Sequence, residues 1–209
     1  MQTGNKRSYS SPQREQSANK TRDDILDAAT LLFSRDGIDA TKISAIAERA
    51  KVGQSTIYAI FKGKAGLLAA IMERSLFGAR FEAARKKLEG ETDPVRMLAM
   101  TASIARAIYE DEAEKLGLMR GISGFSAELR KQEQRFETIR YEMQRERIEA
   151  LFRANLQRPG LGEEEARRLL WMYTSRDIYR MLVVESGWSP ERYEEWLAGT
   201  LVLNLARAR

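Results

Sequence analysis

Between Glu48 and Glu73 the chain carries no acidic residue, while Arg49, Lys51, Lys62 and Lys64 give that window four positive charges. A phosphate backbone would meet no repulsion there. If Ile57, Ile60 and Phe61 face a core, then Gln54, Ser55, Tyr58, Ala59 and Lys62 point away from it, because positions three and four apart share a helix face. That outward face is rich in hydrogen-bonding groups. A Gln amide can pair with an adenine edge, Ser can touch base edges, and Tyr and Lys commonly hold phosphates, so the set suits a helix that reads a DNA major groove. An ordinary solvated surface helix would carry similar residues.

Other chemistries are excluded by composition. The 209 residues include no Cys and no His, which removes thiol nucleophiles, disulfides, Cys/His zinc sites, His general bases and Ser/His/Asp triads. The best remaining material for an enzyme is the acidic group Glu110, Asp111, Glu112 and Glu114. Di-metal sites in helix bundles usually add a Glu-x-x-His motif from two helices, and this chain has no His to supply it. A solvated helix end accounts for those acids better, and no catalytic residue, metal or cofactor is expected.

Ala, Glu, Lys, Leu and Arg make up about half of the chain, a helix-rich composition, and no strand pattern or internal repeat is visible. The expectation is an all-α protein of about nine helices. Its charge is uneven. Residues 1–88 hold 16 basic and 9 acidic side chains, a formal +7, while 89–209 hold 19 and 21, a formal −2. Such asymmetry fits a nucleic-acid-binding front end on a neutral back end. Residues 1–20 are polar, with nothing to bury and no signal-peptide core, and read as a flexible basic tail whose Lys6, Arg7, Arg14 and Lys20 could brush phosphates. The longest apolar run, Leu67 to Met72, is far below the roughly 20 residues of a membrane span. A cytoplasmic, nucleoid-associated location is expected, with no membrane partner.

The elements that must position the polar face can be read from periodicity. Ile25, Ala29, Leu32 and Phe33 form one apolar helix stripe, closed by Gly37. Thr41 stands as an N-cap for a second helix with Ile43, Ile46, Ala47 and Ala50 on one face. After a turn at Lys51, Val52 and Gly53, Ile57, Ile60 and Phe61 resume the pattern, so two short helices joined tightly make a helix-turn-helix candidate. A longer helix is expected from about Lys64 to Leu88.

Asp93 and Pro94 then open a helix through Val95 to Tyr109, and a long charged helix is expected from Ala127 to about Leu156. Glu163, Glu164 and Glu165 suit the first turn of the next, whose Leu169 to Val184 part is apolar nearly all round. Ser189 and Pro190 open the last, with Tyr193, Trp196, Leu197, Leu201 and Leu205 as its stripe. These late helices, about 163–186 and 190–207, are expected to pair with their symmetry mates as a four-helix bundle, with Arg176 and Asp177 either paired there or solvated. Met97, Met100, Thr101, Ile104, Phe136, Ile139, Met143, Trp171 and Tyr173 could surround a small-molecule cavity, though Met and aromatic stripes also build plain core. No charged cluster converges there in the sequence, which favours an apolar or aromatic effector.

The run Thr41-Lys-Ile-Ser-Ala-Ile-Ala-Glu-Arg-Ala50, with Val52, Thr56-Ile-Tyr58, Phe61, Lys64 and Leu67-Leu68, closely resembles the N-terminal domain of TetR-family bacterial transcriptional regulators. Ile25-Leu26-Asp-Ala28-Ala29, Leu32-Phe33 and Gly37 precede it in the same order. The resemblance covers roughly residues 22 to 72. It implies a homodimeric regulator, most simply a repressor released from an inverted-repeat operator in double-stranded DNA by an unidentified small-molecule effector. It divides the chain into the tail, a DNA-binding domain over 21–66 and an effector-binding and dimerisation domain over 67–209. Carried across by position, Thr41 looks like a phosphate contact on the second helix and Gln54 and Ser55 like the start of the recognition helix. Thr56 and Tyr58 look like its base and backbone contacts, and Lys64 like a phosphate-binding lysine. Lys51, Gly53, Gly63 and Ala65 depart from the pattern, replacing a turn Gly, a capping Ser, a Ser or Asn, and an acid. They leave open a helical adaptor of the same fold that no longer reads DNA.

Overall fold

Helix α1 spans Pro12–Asp36 and buries Ile25, Leu26, Ala28, Ala29, Leu32 and Phe33. Leu26 and Ala28 widen the expected stripe into a face broad enough to pack on more than one neighbour. A computed structural model describes residues 12–76, 78–116 and 127–207. Residues 12–20, expected as part of a flexible tail, form the first turns of α1, their side chains exposed from Arg14 to Lys20. Lys20 pairs with Asp24 one turn on, at 2.9 Å. Lys6 and Arg7 lie outside the described residues.

Gly37, at φ +82°, closes α1 by donating its N–H to the Phe33 carbonyl at 3.0 Å, a left-handed cap that a Cβ would strain. Helices α2 (Ile43–Arg49), α3 (Gln54–Phe61) and α4 (Lys64–Leu76) follow. With α1 they bury Ile38, Ile43, Ile46, Ala47, Ile57, Phe61, Leu67, Leu68 and Ile71. The chain divides into two compact units between Ile71 and Met72, inside α4.

The expected single helix from Lys64 to Leu88 is two. α4 ends at Leu76, and α5 (Ala79–Leu88) starts from Gly78, whose backbone is extended. A glycine at a helix N-cap is among the tolerated residues, and it stops the preceding helix cheaply. α6 runs Pro94–Leu116, longer than the Val95 to Tyr109 expected, and opens as read: the Asp93 carboxylate accepts from the Val95 N–H at 2.8 Å.

The expected 127–156 helix is α7 (Ala127–Met143) and α8 (Arg145–Arg153), interrupted at Gln144. α9 (Glu163–Tyr173) is followed by the one-turn α10 (Arg176–Tyr179) and a π-helical turn over Arg180–Glu185. The interruption before α10 has a visible cause. An Arg140 Nη1 donates to the Trp171 carbonyl at 2.6 Å, while the Ser175 N–H bonds to Met172 instead, at 3.1 Å. A side chain inserted into the backbone ladder ends regular helix. α11 (Pro190–Leu205) is capped by Ser189, which accepts from the Arg192 N–H at 3.2 Å.

Counting α7 with α8, and α9 with α10 and the π turn, as interrupted single segments gives nine helical segments among the described residues. No strand is among them, only an isolated bridge between Gln157 and Ala206. In the 72–209 unit α6 is the central helix, packed by α5, α8 and α11. Ala102, Ala105 and Ala107 keep its surface low where neighbours approach, and Leu98, Leu151, Leu170, Leu197 and Leu201 fill the core. Arg106 of α6 reaches Glu110 at 2.9 Å, Glu194 of α11 at 3.1 Å and Glu191. Burial opposes its charge, yet these acids hold the guanidinium proton above its usual range.

Arg176 and Asp177 do not pair with each other. Arg176 faces Glu133 at 3.6 Å and Asp177 faces Arg180 at 3.3 Å.

Candidate nucleic-acid interface

The turn between α2 and α3 sets where α3 lies. The Val52 N–H returns to the Ala47 carbonyl at 3.0 Å and the Lys51 N–H to that of Glu48 at 3.1 Å, the paired bonds of a Schellman motif. Its left-handed position, usually Gly, holds Lys51 at φ +55°. The backbone geometry of the turn is kept at the cost of a strained side chain. Lys51→Gly is expected to raise the stability of the 12–71 part by about 0.5–1 kcal/mol, read as an increase in its melting temperature.

α3 presents the expected face. Gln54, Ser55, Tyr58, Ala59 and Lys62 are exposed, Tyr58 at 50%, and Thr56 is half-buried. Ile57 and Phe61 are buried, but Ile60, expected in the core, is 37% exposed. In a helix of eight residues the inward stripe is only as wide as the Ile57 and Phe61 pair, and position 60 falls beside it. Arg22 of α1 stacks over the Phe61 ring, 4.9 Å from its centre, and covers that anchor from the solvent side. Lys62 closes α3 in the left-handed region at φ +63°, its Nζ donating to the Ala59 carbonyl at 3.0 Å.

Two expected contacts have structural work instead. Thr41 is not the cap of α2; Lys42 holds that position, without a side-chain bond. The Thr41 side chain is 3% exposed, its hydroxyl donating to the Gly37 carbonyl at 2.7 Å and lying 3.2 Å from that of Leu32. It satisfies carbonyls left over at the end of α1, its hydroxyl turned into the unit. Lys64 donates from Nζ to the carbonyls of Ile38 at 2.9 Å and Asp39 at 3.0 Å, which ties the start of α4 to the loop after α1. One of its three ammonium protons remains for another acceptor. Gly66, which periodicity does not single out, is placed by a close approach: a Cβ there would lie 1.7 Å from the Phe61 carbonyl oxygen.

Two of the cavities among the described residues of the second unit bear on the expected set. A cleft of about 1010 Å³ is lined by Trp171 and by charged groups that include Glu133, Glu137, Arg176, Asp177 and Arg180. A small interior chamber of about 30 Å³ is lined by Thr101, Ile104 and Met143 from the expected set. The other candidates line neither: Met97 and Met100 are half-buried on α6, and Phe136, Ile139 and Tyr173 pack against the core. Sequence reading missed the polar wall of the chamber, Arg140, Gln144 and Arg147. Their helical spacing with Phe136 and Met143 was the available signal, obscured by the many charges of that segment.

Of the acids weighed for a metal site, Glu110 is bound to Arg106, and the side chains of Glu112 and Glu114 lie outside the described residues. Among the described residues no group of three carboxylates could hold a metal ion. No single described helix is long and apolar enough to cross a membrane.

An exposed, acid-free polar helix set by a tight turn on a neighbouring short helix is a helix-turn-helix arrangement, here in one chain with a second helical unit that contains cavities. Residues 25–71 match the sequence profile of bacterial regulatory proteins of the TetR family. That match spans α2 and α3 with the later part of α1 and the greater part of α4, and residues 72–209 lie outside it. The transcriptional repressor KstR of Rhodococcus jostii (strain RHA1) is 34% identical over 87 residues, which are 42% of this chain and 40% of KstR. The transcriptional regulator AcrR of Shigella flexneri is 43% identical over 61 residues, 29% of this chain and 28% of AcrR. The chain thus spans less than half the length of these curated relatives in its matches to them. Structural likeness extends further: NalD, the secondary repressor of the MexAB-OprM multidrug efflux pump in Pseudomonas aeruginosa, matches with a TM-score of 0.71 at 25% identity. That match covers 92% of this chain and 100% of the NalD chain.

Proposed function

We propose that the protein is a cytoplasmic, homodimeric transcriptional regulator, a repressor that binds an inverted-repeat operator and releases it when a small molecule binds the 72–209 unit. The observation that carries this reading is the outward face of α3. Gln54, Ser55, Tyr58, Ala59 and Lys62 all point to solvent on a helix set by a Schellman turn, within a window that holds no acid. These groups supply base-edge and phosphate contacts of the kinds a major groove accepts. KstR and NalD, named as repressors, support the direction of regulation. The cavities of the second unit support a ligand. A ligand acts by favouring a dimer state whose recognition helices no longer match half-sites about 34–36 Å apart.

Exposed apolar groups support a dimer surface on the last two helical segments. Among the described residues, the exposed large apolar side chains of the 72–209 unit are Trp171, Met172, Met181, Val184 and Leu203. All five lie on the segments 163–186 and 190–207. Leu203, 78% exposed, and Val184, 53% exposed, are poorly placed in a monomer and well placed between two copies.

Selection of fragments from a genomic DNA pool by the purified protein tests the reading, at two salt concentrations and with Tyr58→Ala in parallel. An inverted repeat is expected to be enriched, with affinity that falls as salt rises. Tyr58→Ala is expected to weaken it at least about ten-fold without changing the fold, since Tyr58 is half exposed. A folded, dimeric protein that enriches no sequence would refute operator binding.

A further inference from the structure

The small chamber in the 72–209 unit is built from polar groups that its own residues leave incompletely bonded. Its walls include Thr101, Ile104 and Ile108 of α6 with Met143, Gln144 and Arg147 at the α7–α8 junction. Thr174 fixes the bonding pattern. Its one hydroxyl proton goes to the Leu170 carbonyl at 2.7 Å, so it accepts from Arg140 Nη1 at 2.8 Å and Gln144 Nε2 at 2.7 Å. The Gln144 amide is therefore oriented with its NH₂ toward Thr174 and its carbonyl away. That Oε1 is buried, on a side chain 4% exposed, and accepts from no described residue.

Arg147 presents the matching problem with opposite polarity. One Nη1 donates to the Met143 carbonyl at 2.8 Å, while its buried Nε has no acceptor among the described residues. Arg140 nearby is balanced by Glu137, but no ion pair to Arg147 occurs among the described residues. Burial pushes the Arg147 guanidinium below its usual pKa, with neighbouring Glu146 the one carboxylate acting against that. A desolvated cation without a counter-ion, beside an unused acceptor, is costly unless something else completes the pair.

The free volume of about 30 Å³ is room for one water-sized group. Ile104, Ile108 and Met143 make the adjoining wall hydrocarbon, and the Met143 thioether is the side chain most able to yield to a bulkier body. A carboxylate is planar and fits a guanidinium edge, and one of its oxygens fills the water-sized space while the rest of the group takes the room that Met143 yields; a tetrahedral phosphate is larger. We propose that the chamber receives the head group of the effector, and that the effector is a carboxylate on an apolar body. Its oxygens accept from Arg147, and the Gln144 carbonyl takes a hydroxyl or water carried in beside it. This corrects the expectation that no charged groups converge among the pocket candidates. The link to DNA release rests on the ligand-responsive reading above, whereas binding itself does not.

The test uses the full chain and three probes of equal length: decanoate, decan-1-ol and decyltrimethylammonium, followed by calorimetry and by melting temperature. Decanoate is expected to bind and raise the melting temperature, with the alcohol at least about ten-fold weaker and the ammonium not bound. Arg147→Met is expected to remove the preference for decanoate over decanol while keeping helical content, because an apolar group of similar length replaces a desolvated charge. Gln144→Met is a second variant, expected to weaken decanoate several-fold. Equal affinity for decanoate and decanol, absence of decanoate binding, or undiminished decanoate binding by a folded Arg147→Met protein would each overturn the assignment. Decanoate that binds as expected but leaves the selected operator occupied supports the site and counts against ligand-controlled release. Operator release by other ligands with no decanoate binding does the reverse.

Discussion

Gly66→Ala is expected to unfold the DNA-binding part of the chain while leaving the 72–209 unit helical. The Cβ it adds would sit 1.7 Å from the Phe61 carbonyl oxygen and 2.8 Å from the carbonyl carbon, and backbone atoms cannot swing aside as a side-chain tip can. Room must come from opening the α3–α4 turn. That turn already holds Lys62 at φ +63° and Gly63 at φ +131°, so it has little freedom to move. Displacing it draws Phe61 from the core and breaks the Lys64 bonds to Ile38 and Asp39. Overpacking against backbone costs about 3 kcal/mol, a large part of what a unit of this size has in reserve. Thermal melts followed by circular dichroism should show an early transition absent from the parent, with operator binding lost. An unchanged melt would mean that the turn opens at little cost.

Gly66 also marks a limit of sequence reading. The three N-terminal helices, their order and the outward face of α3 were legible because apolar residues at helical spacing declare which side is buried. Asp93, Pro94, Ser189 and Pro190 likewise announced their helix starts by chemistry that acts within a few residues. What was not legible depends on contacts between distant positions. Ile60 fits the apolar period yet is only partly covered, 37% exposed, because the contact beneath an eight-residue helix is narrow. Thr41 has the right type and place for a cap, but Leu32, nine residues earlier, and Gly37 draw its hydroxyl inward. The helix expected over 163–186 is broken by Arg140, 31 residues before Trp171, and no local pattern could show it. The chamber was half legible. Thr101, Ile104 and Met143 were named from an apolar stripe, whereas Arg140, Gln144 and Arg147 were hidden among the charges of α7 and α8.

Val184→Glu combined with Leu203→Glu is expected to convert the protein to a folded monomer. Both side chains are more than half exposed, so the change alters little inside one copy. A two-fold interface would bring four added glutamates into one desolvated seam, where unpaired like charges are strongly unfavourable. Light scattering during gel filtration at micromolar concentration should report half the parent mass, with an unaltered far-ultraviolet spectrum. Operator affinity should fall by about 100-fold or more, because a second half-site contact gains from effective concentration only while the two copies are joined. A dimer that persists would place the interface on another surface of the unit.

The interrupted segment from α9 to the π turn has a mechanical consequence. A regular helix resists bending because flexing stretches backbone hydrogen bonds on its outer side. At Trp171 the carbonyl is held by the Arg140 guanidinium rather than by the next turn of backbone. At Arg180–Glu185 the wider π winding places a second irregularity within a few residues. The segment therefore behaves as a jointed linkage rather than a stiff rod, and it can flex at Trp171 without breaking a backbone hydrogen bond of that carbonyl.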